Sequence, residues 1–211
     1  MKILKSRNAN FNFLGARHYV QGATLIEGLL AALAYWGIGP VDRIQGNFRI
    51  LLTEDGRYDL LDGNETQDAT IENYNVLFHI RCRESNFLVG LKGRGKPVTK
   101  SVPYDEEALI SCSVINADQR SATVLISPGS PLINPLIALN KRLVSAVFPT
   151  QGFGQWFLSR YDIIFRRTRI EVPRRLGIRI IGSIGASNTV SAVDLDDDPV
   201  GTIHFSRNLE K

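Results

Sequence analysis

The sequence predicts an α+β fold in which two buried helices are each wrapped by a long antiparallel sheet. Three observations predict it: one short segment occurs twice, each copy begins a very apolar helical pattern, and strand-like segments separated by turn residues follow each helix. The chain has 211 residues, of which 44% are hydrophobic and 22% charged, enough for such a core without disulfides or a bound metal. This composition excludes a disordered protein.

The repeated segment aligns residues 22–33 (GATLIEGLLAAL) with residues 129–140 (GSPLINPLIALN) without a gap. A second, weaker match follows at nearly the same offset, where residues 46–51 face residues 154–159. A duplication explains both matches. We therefore divide the chain into two repeats, 1–127 and 128–211, that form one compact unit.

Each repeat is expected to open with a helix, from about 23 to 36 and from about 135 to 147. In the first, Leu25, Ile26, Leu29, Leu30 and Leu33 leave little polar face, so the helix should be enclosed by sheet. The strands are expected at about 44–53, 57–61, 74–83, 86–92, 109–116 and 121–127, and then at 155–167, 174–184, 189–194 and 200–206.

A buried helix that begins at a glycine and is wrapped by a long sheet resembles the hot-dog fold. Two copies of this arrangement in one chain resemble a double hot dog. The local match is Val20-Gln-Gly-Ala-Thr-Leu-Ile-Glu27, which is similar to the segment Pro-Gly-Val-Leu-Ile-Ile-Glu-Ala of beta-hydroxyacyl-ACP dehydratases. The resemblance implies that Gly22 takes the glycine position and Glu27 the position of the catalytic carboxylate. The histidine of that pattern would fall at Phe13, so the motif is incomplete; His18 lies nearby on a different spacing.

Hot-dog enzymes act on acyl thioesters of coenzyme A or acyl carrier protein, and the resemblance implies the same here. The N–H groups of Gly22 and Ala23 would then stabilise the developing oxyanion at the helix N-terminus. Glu27 would be the general base, with its pKa raised by burial. His18 and Tyr19 are further candidates for proton transfer or for a hydrogen bond to an enolate.

Glu27 and a second candidate, Asn134, both have structural alternatives. Thr24-Leu-Ile-Glu27 fits a capping box, in which Glu27 only bonds back to the amide of Thr24. Asn134 aligns with Glu27 and could polarise the substrate carbonyl, but Asn134 followed by Pro135 also fits an N-cap with proline at the first helical position.

Basic residues predict contacts with an anion. Gly90-Leu-Lys-Gly-Arg-Gly-Lys96 matches half of a nucleotide-binding loop, but Pro97 replaces the Ser or Thr that holds magnesium. We expect Lys92, Arg94 and Lys96, together with Arg174 and Arg175, to meet the phosphates of coenzyme A or an acidic carrier protein. The alternatives are a solvated hairpin and a solvated strand face.

The expected function is that of an enzyme on acyl thioesters in fatty-acid or natural-product (polyketide) metabolism. Hydrolysis comes first, then dehydration, decarboxylation or acyl transfer. The alternative is a non-catalytic module that binds an acyl chain or a carrier protein. We expect no metal, no cofactor beyond the coenzyme A or phosphopantetheine of the substrate, no nucleic-acid partner and no membrane. The protein is expected to be cytoplasmic, as a monomeric pseudo-dimer or a homodimer.

Overall fold

The computed structural model describes residues 2–62, 72–127, 131–149, 155–165, 174–185 and 187–207. The chain divides into two compact units, Met1–Tyr104 and Asp105–Lys211. Each unit contains a helix that is buried along one side and strands that pair in antiparallel order, as expected of an α+β fold.

The first unit is an antiparallel sheet with one long helix. Helix α1 spans Gly22–Tyr35, and the sheet follows the order β1-β4-β6-β5-β3. A short parallel pair, β2 with β7, lies apart from it. The strands are β1 (Ile3–Ala9), β2 (Phe13–Leu14), β3 (Arg43–Phe48), β4 (Glu54–Leu61), β5 (Val76–Cys82), β6 (Ser85–Pro97) and β7 (Ser101–Val102).

The core of the first unit lies between α1 and one face of this sheet. The helix buries the side that carries Leu25, Ile26, Leu29 and Leu33. From β4, the fully buried Tyr58 donates its hydroxyl hydrogen bond to the carbonyl of Leu25 at 2.7 Å. This contact joins helix and sheet, in agreement with the predicted enclosure of the apolar helix.

The second unit has a longer meander around its main helix. Its elements are α2 (Glu106–Leu109), β8 (Val114–Asn116), β9 (Ser121–Ile126), α3 (Ile133–Val147), β10 (Trp156–Ile164), β11 (Arg174–Ile184), β12 (Asn188–Leu195) and β13 (Asp198–Arg207). Its strand order is β10-β13-β12-β11-β9-β8. Helix α3 contacts β8, β9 and β11 near one end of this order and β10 at the other, so the sheet curves around the helix.

The structure corrects several expected elements. Of the strand expected at 109–116, only Val114–Asn116 is a strand; Leu109 ends the short helix α2, and a turn lies between them. The glycine-rich run at 90–96 is not a loop, because it lies within β6 and pairs with β4. The end of the strand expected at 155–167 lies outside the described residues.

The boundary between the compact units falls earlier than the division between sequence repeats. Strands β8 and β9 belong to the second unit because β9 pairs with β11 and β8 with β9. The division into repeats 1–127 and 128–211 stays a prediction. In the described part of the chain, no helix combines the length and the apolar character that crossing a membrane requires.

Candidate functional site

The start of α1 presents backbone N–H groups without a side-chain cap. Gln21 occupies the N-cap position in an extended conformation, and its side chain makes no capping hydrogen bond. The first intrahelical bond is donated by the amide of Leu25 to the carbonyl of Gln21 at 3.1 Å. The amides of Gly22, Ala23 and Thr24 therefore precede the hydrogen-bonded helix, at the positive end of its dipole. Such an end can stabilise a negatively charged oxygen.

The capping-box alternative for Glu27 is wrong in this structure. A capping box needs Thr24 to precede the helix, whereas the helix begins at Gly22 and Thr24 lies inside its first turn. Glu27 itself is exposed, outside the buried stripe of α1. The expectation that Glu27 is buried is therefore also wrong, because its side chain does not lie in the apolar core.

The segment that precedes α1 is held by a backbone hydrogen bond at each end. The amide of Phe13 donates to the carbonyl of Lys100 at 2.9 Å, and the amide of Val20 donates to the carbonyl of Leu52 at 2.8 Å. Between these anchors, His18 is exposed and Tyr19 is half-buried. Both predicted residues thus directly precede the first turn of α1 on a backbone held at either end.

Arg17 is a neighbour of this turn that the sequence analysis missed. Its guanidinium donates to the carbonyl of Leu14 at 3.0 Å and lies 5.4 Å from the ring centre of Tyr104. With the buried Gln21 amide oriented so that its oxygen faces Arg17, Nε and both terminal nitrogens donate to that oxygen at 2.6–3.0 Å. A fixed positive charge therefore stands beside the N-cap residue of α1. The only sequence signal was an arginine shortly before the glycine.

Asn134 is not the N-cap that the sequence predicts. Helix α3 begins at Ile133 with Leu132 as its N-cap residue, so Asn134 and Pro135 both lie inside the first turn. Asn134 is half-buried there. Its proposed action on a substrate carbonyl stays a prediction.

Most of the predicted anion-binding residues already have carboxylate partners. Lys92 Nζ lies 3.8 Å from Asp59, and Lys96 Nζ lies 3.2 Å from Asp55. At the start of β11, Arg174 pairs with Asp196 at 2.5 Å and Arg175 pairs with Asp197. Both aspartates lie in the turn that joins β12 to β13. Arg94 is exposed, and its charge contributes to the lowered pKa of Asp55.

A buried carboxylate, Asp59, organises the face of β4 opposite to Tyr58. It accepts hydrogen bonds from Ser6 Oγ at 2.6 Å and from Tyr74 Oη at 3.2 Å, and it pairs with Arg57 at 2.9 Å. Burial and the negative charge of Asp59 raise the pKa of Tyr74 to about 12. This network was not predicted, because its members are scattered over β1, β4, β6 and the segment before β5.

In the described ranges, no group of three or more His, Cys, Asp and Glu side chains comes together in a way that could hold a metal ion.

The candidate site consists of the first turn of α1, the segment before it with His18 and Tyr19, the guanidinium of Arg17, and Glu27 on the exposed side of the helix.

Comparison with solved structures establishes the class of fold. The chain has the hot-dog fold, as the resemblance at its first helix implied. It is similar to the 12:0-ACP thioesterase from Umbellularia californica, with a TM-score of 0.51, 10% identity, and coverage of 98% of this chain and 97% of that one. It is also similar to an acyl-ACP thioesterase from Bacteroides thetaiotaomicron, with a TM-score of 0.50, 9% identity and 97% coverage of both chains. No family model matches the sequence, and no curated protein matches it.

Proposed function

We propose that the protein acts on acyl thioesters carried by coenzyme A or acyl carrier protein, with hydrolysis as its reaction. The observation that carries the proposal is the uncapped start of α1, where the N–H groups of Gly22 and Ala23 precede the first intrahelical bond. A thioester carbonyl placed there would gain hydrogen bonds as its oxygen becomes negative, which lowers the barrier to attack. The similarity to thioesterases of the same fold supports this substrate class.

The nucleophile in this proposal is water, and Glu27 accepts its proton. Glu27 lies on the same helix as the proposed oxyanion-binding amides, five residues after Gly22. Water adds to the thioester carbon, the carboxylate takes a proton from that water, and the tetrahedral intermediate expels the thiolate, which is reprotonated. The products are a free acid and a thiol.

Glu27→Gln tests the proposal. We expect release of free thiol from a panel of acyl-CoA and acyl-carrier substrates to fall about 100-fold or more, while substrate binding persists, because the amide cannot accept the proton. The matched control is Glu84→Gln, an exposed carboxylate in the turn between β5 and β6. Equal turnover in both variants would remove Glu27 from the mechanism.

The second candidate is a hot-dog module that binds an acyl chain or a carrier protein without turnover. The exposure of Glu27 favours it, because a general base is usually tuned by a less solvated environment. Saturable binding across the panel, with no thiol release and no change in substrate mass, would support this candidate. A mass loss of water or of carbon dioxide would instead indicate dehydration or decarboxylation.

A further inference from the structure

Gln21 occupies the N-cap position of α1 but does not cap the helix. A side chain at this position commonly accepts a hydrogen bond from the second or third amide of the helix, here that of Ala23 or Thr24. Gln21 carries a suitable oxygen, and the residue is only 5% exposed, yet its side chain makes no capping hydrogen bond. The acceptor that could close the first turn is therefore held elsewhere.

Arg17 holds the side-chain oxygen of Gln21. Arginine carries only donors, so the Gln21 amide must turn its oxygen, and not its NH2 group, towards the guanidinium. In that orientation all three guanidinium nitrogens lie 2.6–3.0 Å from the oxygen. A charged donor binds such an oxygen more strongly than a neutral backbone amide does. The oxygen therefore stays with Arg17 and leaves the amides of the first turn open.

The guanidinium of Arg17 is fixed by groups outside α1. It donates to the carbonyl of Leu14 at 3.0 Å and lies 5.4 Å from the ring centre of Tyr104. Leu14 itself belongs to β2, which pairs with β7, and the amide of Gly15 donates to the carbonyl of Val102 at 2.9 Å. Arg17 can therefore keep its place whether or not the first turn of α1 is occupied.

A side-chain cap and a substrate oxygen would compete for the same donors. In the proposed reaction, the amides of Gly22 and Ala23 bind the oxygen of the thioester as it becomes negative. A cap on the amide of Ala23 would remove one of these two donors. Loss of a single donor of this kind lowers the turnover of acyl-transfer enzymes by about 100-fold or more. A residue that prevents the cap therefore affects the rate without touching the substrate.

We propose that Arg17 is a positioning residue, which withholds the Gln21 side chain from the first turn of α1 and so keeps the amides of Gly22 and Ala23 open to a substrate oxygen. This inference rests on the proposed action on acyl thioesters and adds to it the means by which the donors stay free.

The first test replaces Gln21 by a better cap. Asparagine is among the most favoured N-cap residues, and it is one methylene too short to keep the contact with Arg17. A cap of ordinary strength outweighs the open form about five-fold to ten-fold, so Gln21→Asn should lower kcat by about that factor. KM should stay unchanged, because the ground-state carbonyl gains less from these amides than the oxyanion does. The matched control, Gln21→Leu, carries no acceptor and should keep kcat.

The second test is a rescue. Arg17→Met removes the donors at similar side-chain length, frees Gln21 and should lower kcat. In the double variant Arg17→Met/Gln21→Leu nothing remains to cap the turn, so kcat should return to within about two-fold of the native value, relative to the five-fold to ten-fold loss expected from a cap. A purely structural role for Arg17 would leave the double variant as slow as Arg17→Met. That result, or native kcat in Gln21→Asn, would overturn the inference.

Amide hydrogen exchange measures the cap without any reaction. In Gln21→Asn the amide of Ala23 or of Thr24 should exchange about five-fold to ten-fold more slowly than in Gln21→Leu, because the same cap protects it. Slower exchange as expected, with no thiol release from any variant or from the native protein, would reject hydrolysis and keep the withholding of Gln21. Thiol release that depends on Glu27, with equal exchange in both Gln21 variants, would reject the role of Arg17 alone.

Discussion

Gly28 illustrates how closely single residues are fitted around the first helix. A methyl group added at Gly28 would lie 2.5 Å from the hydroxyl oxygen of Tyr58, which is fully buried and bonded to the carbonyl of Leu25. The glycine therefore allows the phenol to reach the helix backbone. Its role is close packing rather than an unusual backbone angle.

Gly28→Ala should destabilise the protein. Alanine favours a helix interior over glycine by about 1 kcal/mol, but overpacking costs about 1–3 kcal/mol and displacing the Tyr58 hydroxyl loses a hydrogen bond. We expect a net loss of about 1–2 kcal/mol in the free energy of unfolding, measured by urea denaturation. In a Tyr58→Phe background the same substitution should cost less, because the hydroxyl is absent; an unchanged cost would show that the clash lies elsewhere.

At the scale of residues, the start of the first helix was predictable because one local pattern was sufficient. Gly22 opens the first helix as predicted, because a glycine before a strongly apolar run is a local signal. Arg17 and Asp59 could not be found in this way. The hydrogen bonds of Arg17 depend on the orientation of the Gln21 amide. Those of Asp59 depend on the folding that brings Ser6 and Tyr74 to it.

At the level of elements, hydrophobic pattern located the helices and the long strands. Helix α1 and strand β11 begin and end at or next to the predicted residues, because both carry dense apolar patterns between clear breaks. Strand β1 was missed, since its sequence ILKSRNA is mostly polar and exposed. Strand β6 was mistaken in part for a hairpin because of its glycines.

The glycines of β6 have a packing reason that the sequence alone does not reveal. A side chain at Gly90 would meet the ring of Tyr74 at 2.4 Å, and one at Gly93 would meet the carboxylate of Glu54. Glycine within a strand can mark close approach as well as a turn. The sequence GLKGRGK is compatible with a turn and with a strand in close contact with its neighbours. Only the pairing with β4 shows that it is a strand.

Asp55 fastens the segment before α1 to strand β4, and this attachment should depend on pH. Its carboxylate accepts the Phe11 amide at 2.9 Å and pairs with Lys96, and these contacts hold its pKa below the usual value. A carboxyl group with a lowered folded pKa stabilises the fold above its unfolded pKa of about 4 and loses that contribution as pH falls through the folded value.

Asp55→Asn should therefore lower stability at pH 7 by about 1 kcal/mol, the difference between a charged and a neutral acceptor. The deficit relative to the unmodified protein should shrink as the pH falls below the unfolded pKa of about 4 and the Asp55 carboxylate becomes protonated, which urea denaturation at pH 7 and at a series of lower pH values would reveal. Asp118→Asn, at an exposed turn, is the control. A deficit that stays constant with pH would show that charge is not the cause.

At the scale of the whole molecule, the runs of basic residues in the sequence overstate the positive charge available to a partner. Lys92, Lys96, Arg174 and Arg175 are each matched by an aspartate. The sequence alone cannot show these ion pairs, because the aspartates lie far along the chain from the basic residues that they contact. Exposed Arg94 is the better candidate for long-range attraction of an acidic carrier protein.

Arg94→Glu should raise KM for acyl-carrier substrates about five-fold at low salt and less at 0.5 M salt, because salt screens exposed charges. KM for the corresponding acyl-pantetheine should not change. Lys100→Glu, another exposed site near the end of β6, provides the control. An equal rise in KM for carrier and pantetheine substrates would contradict a docking role for Arg94.

The turn at Asp196 and Asp197 has a consequence for the order of folding. Both residues have positive φ, at 52° and 68°, which gives a tight two-residue connection between β12 and β13. Strand β11 ends only a few residues before β12 begins, at Ile184 and Asn188. The strands β11, β12 and β13 therefore pair in sequence order within one continuous stretch of chain. Closing short loops costs little entropy, and hairpins form within microseconds. These strands can therefore assemble as a nucleus before β10 and α3 bring distant parts of the chain onto them.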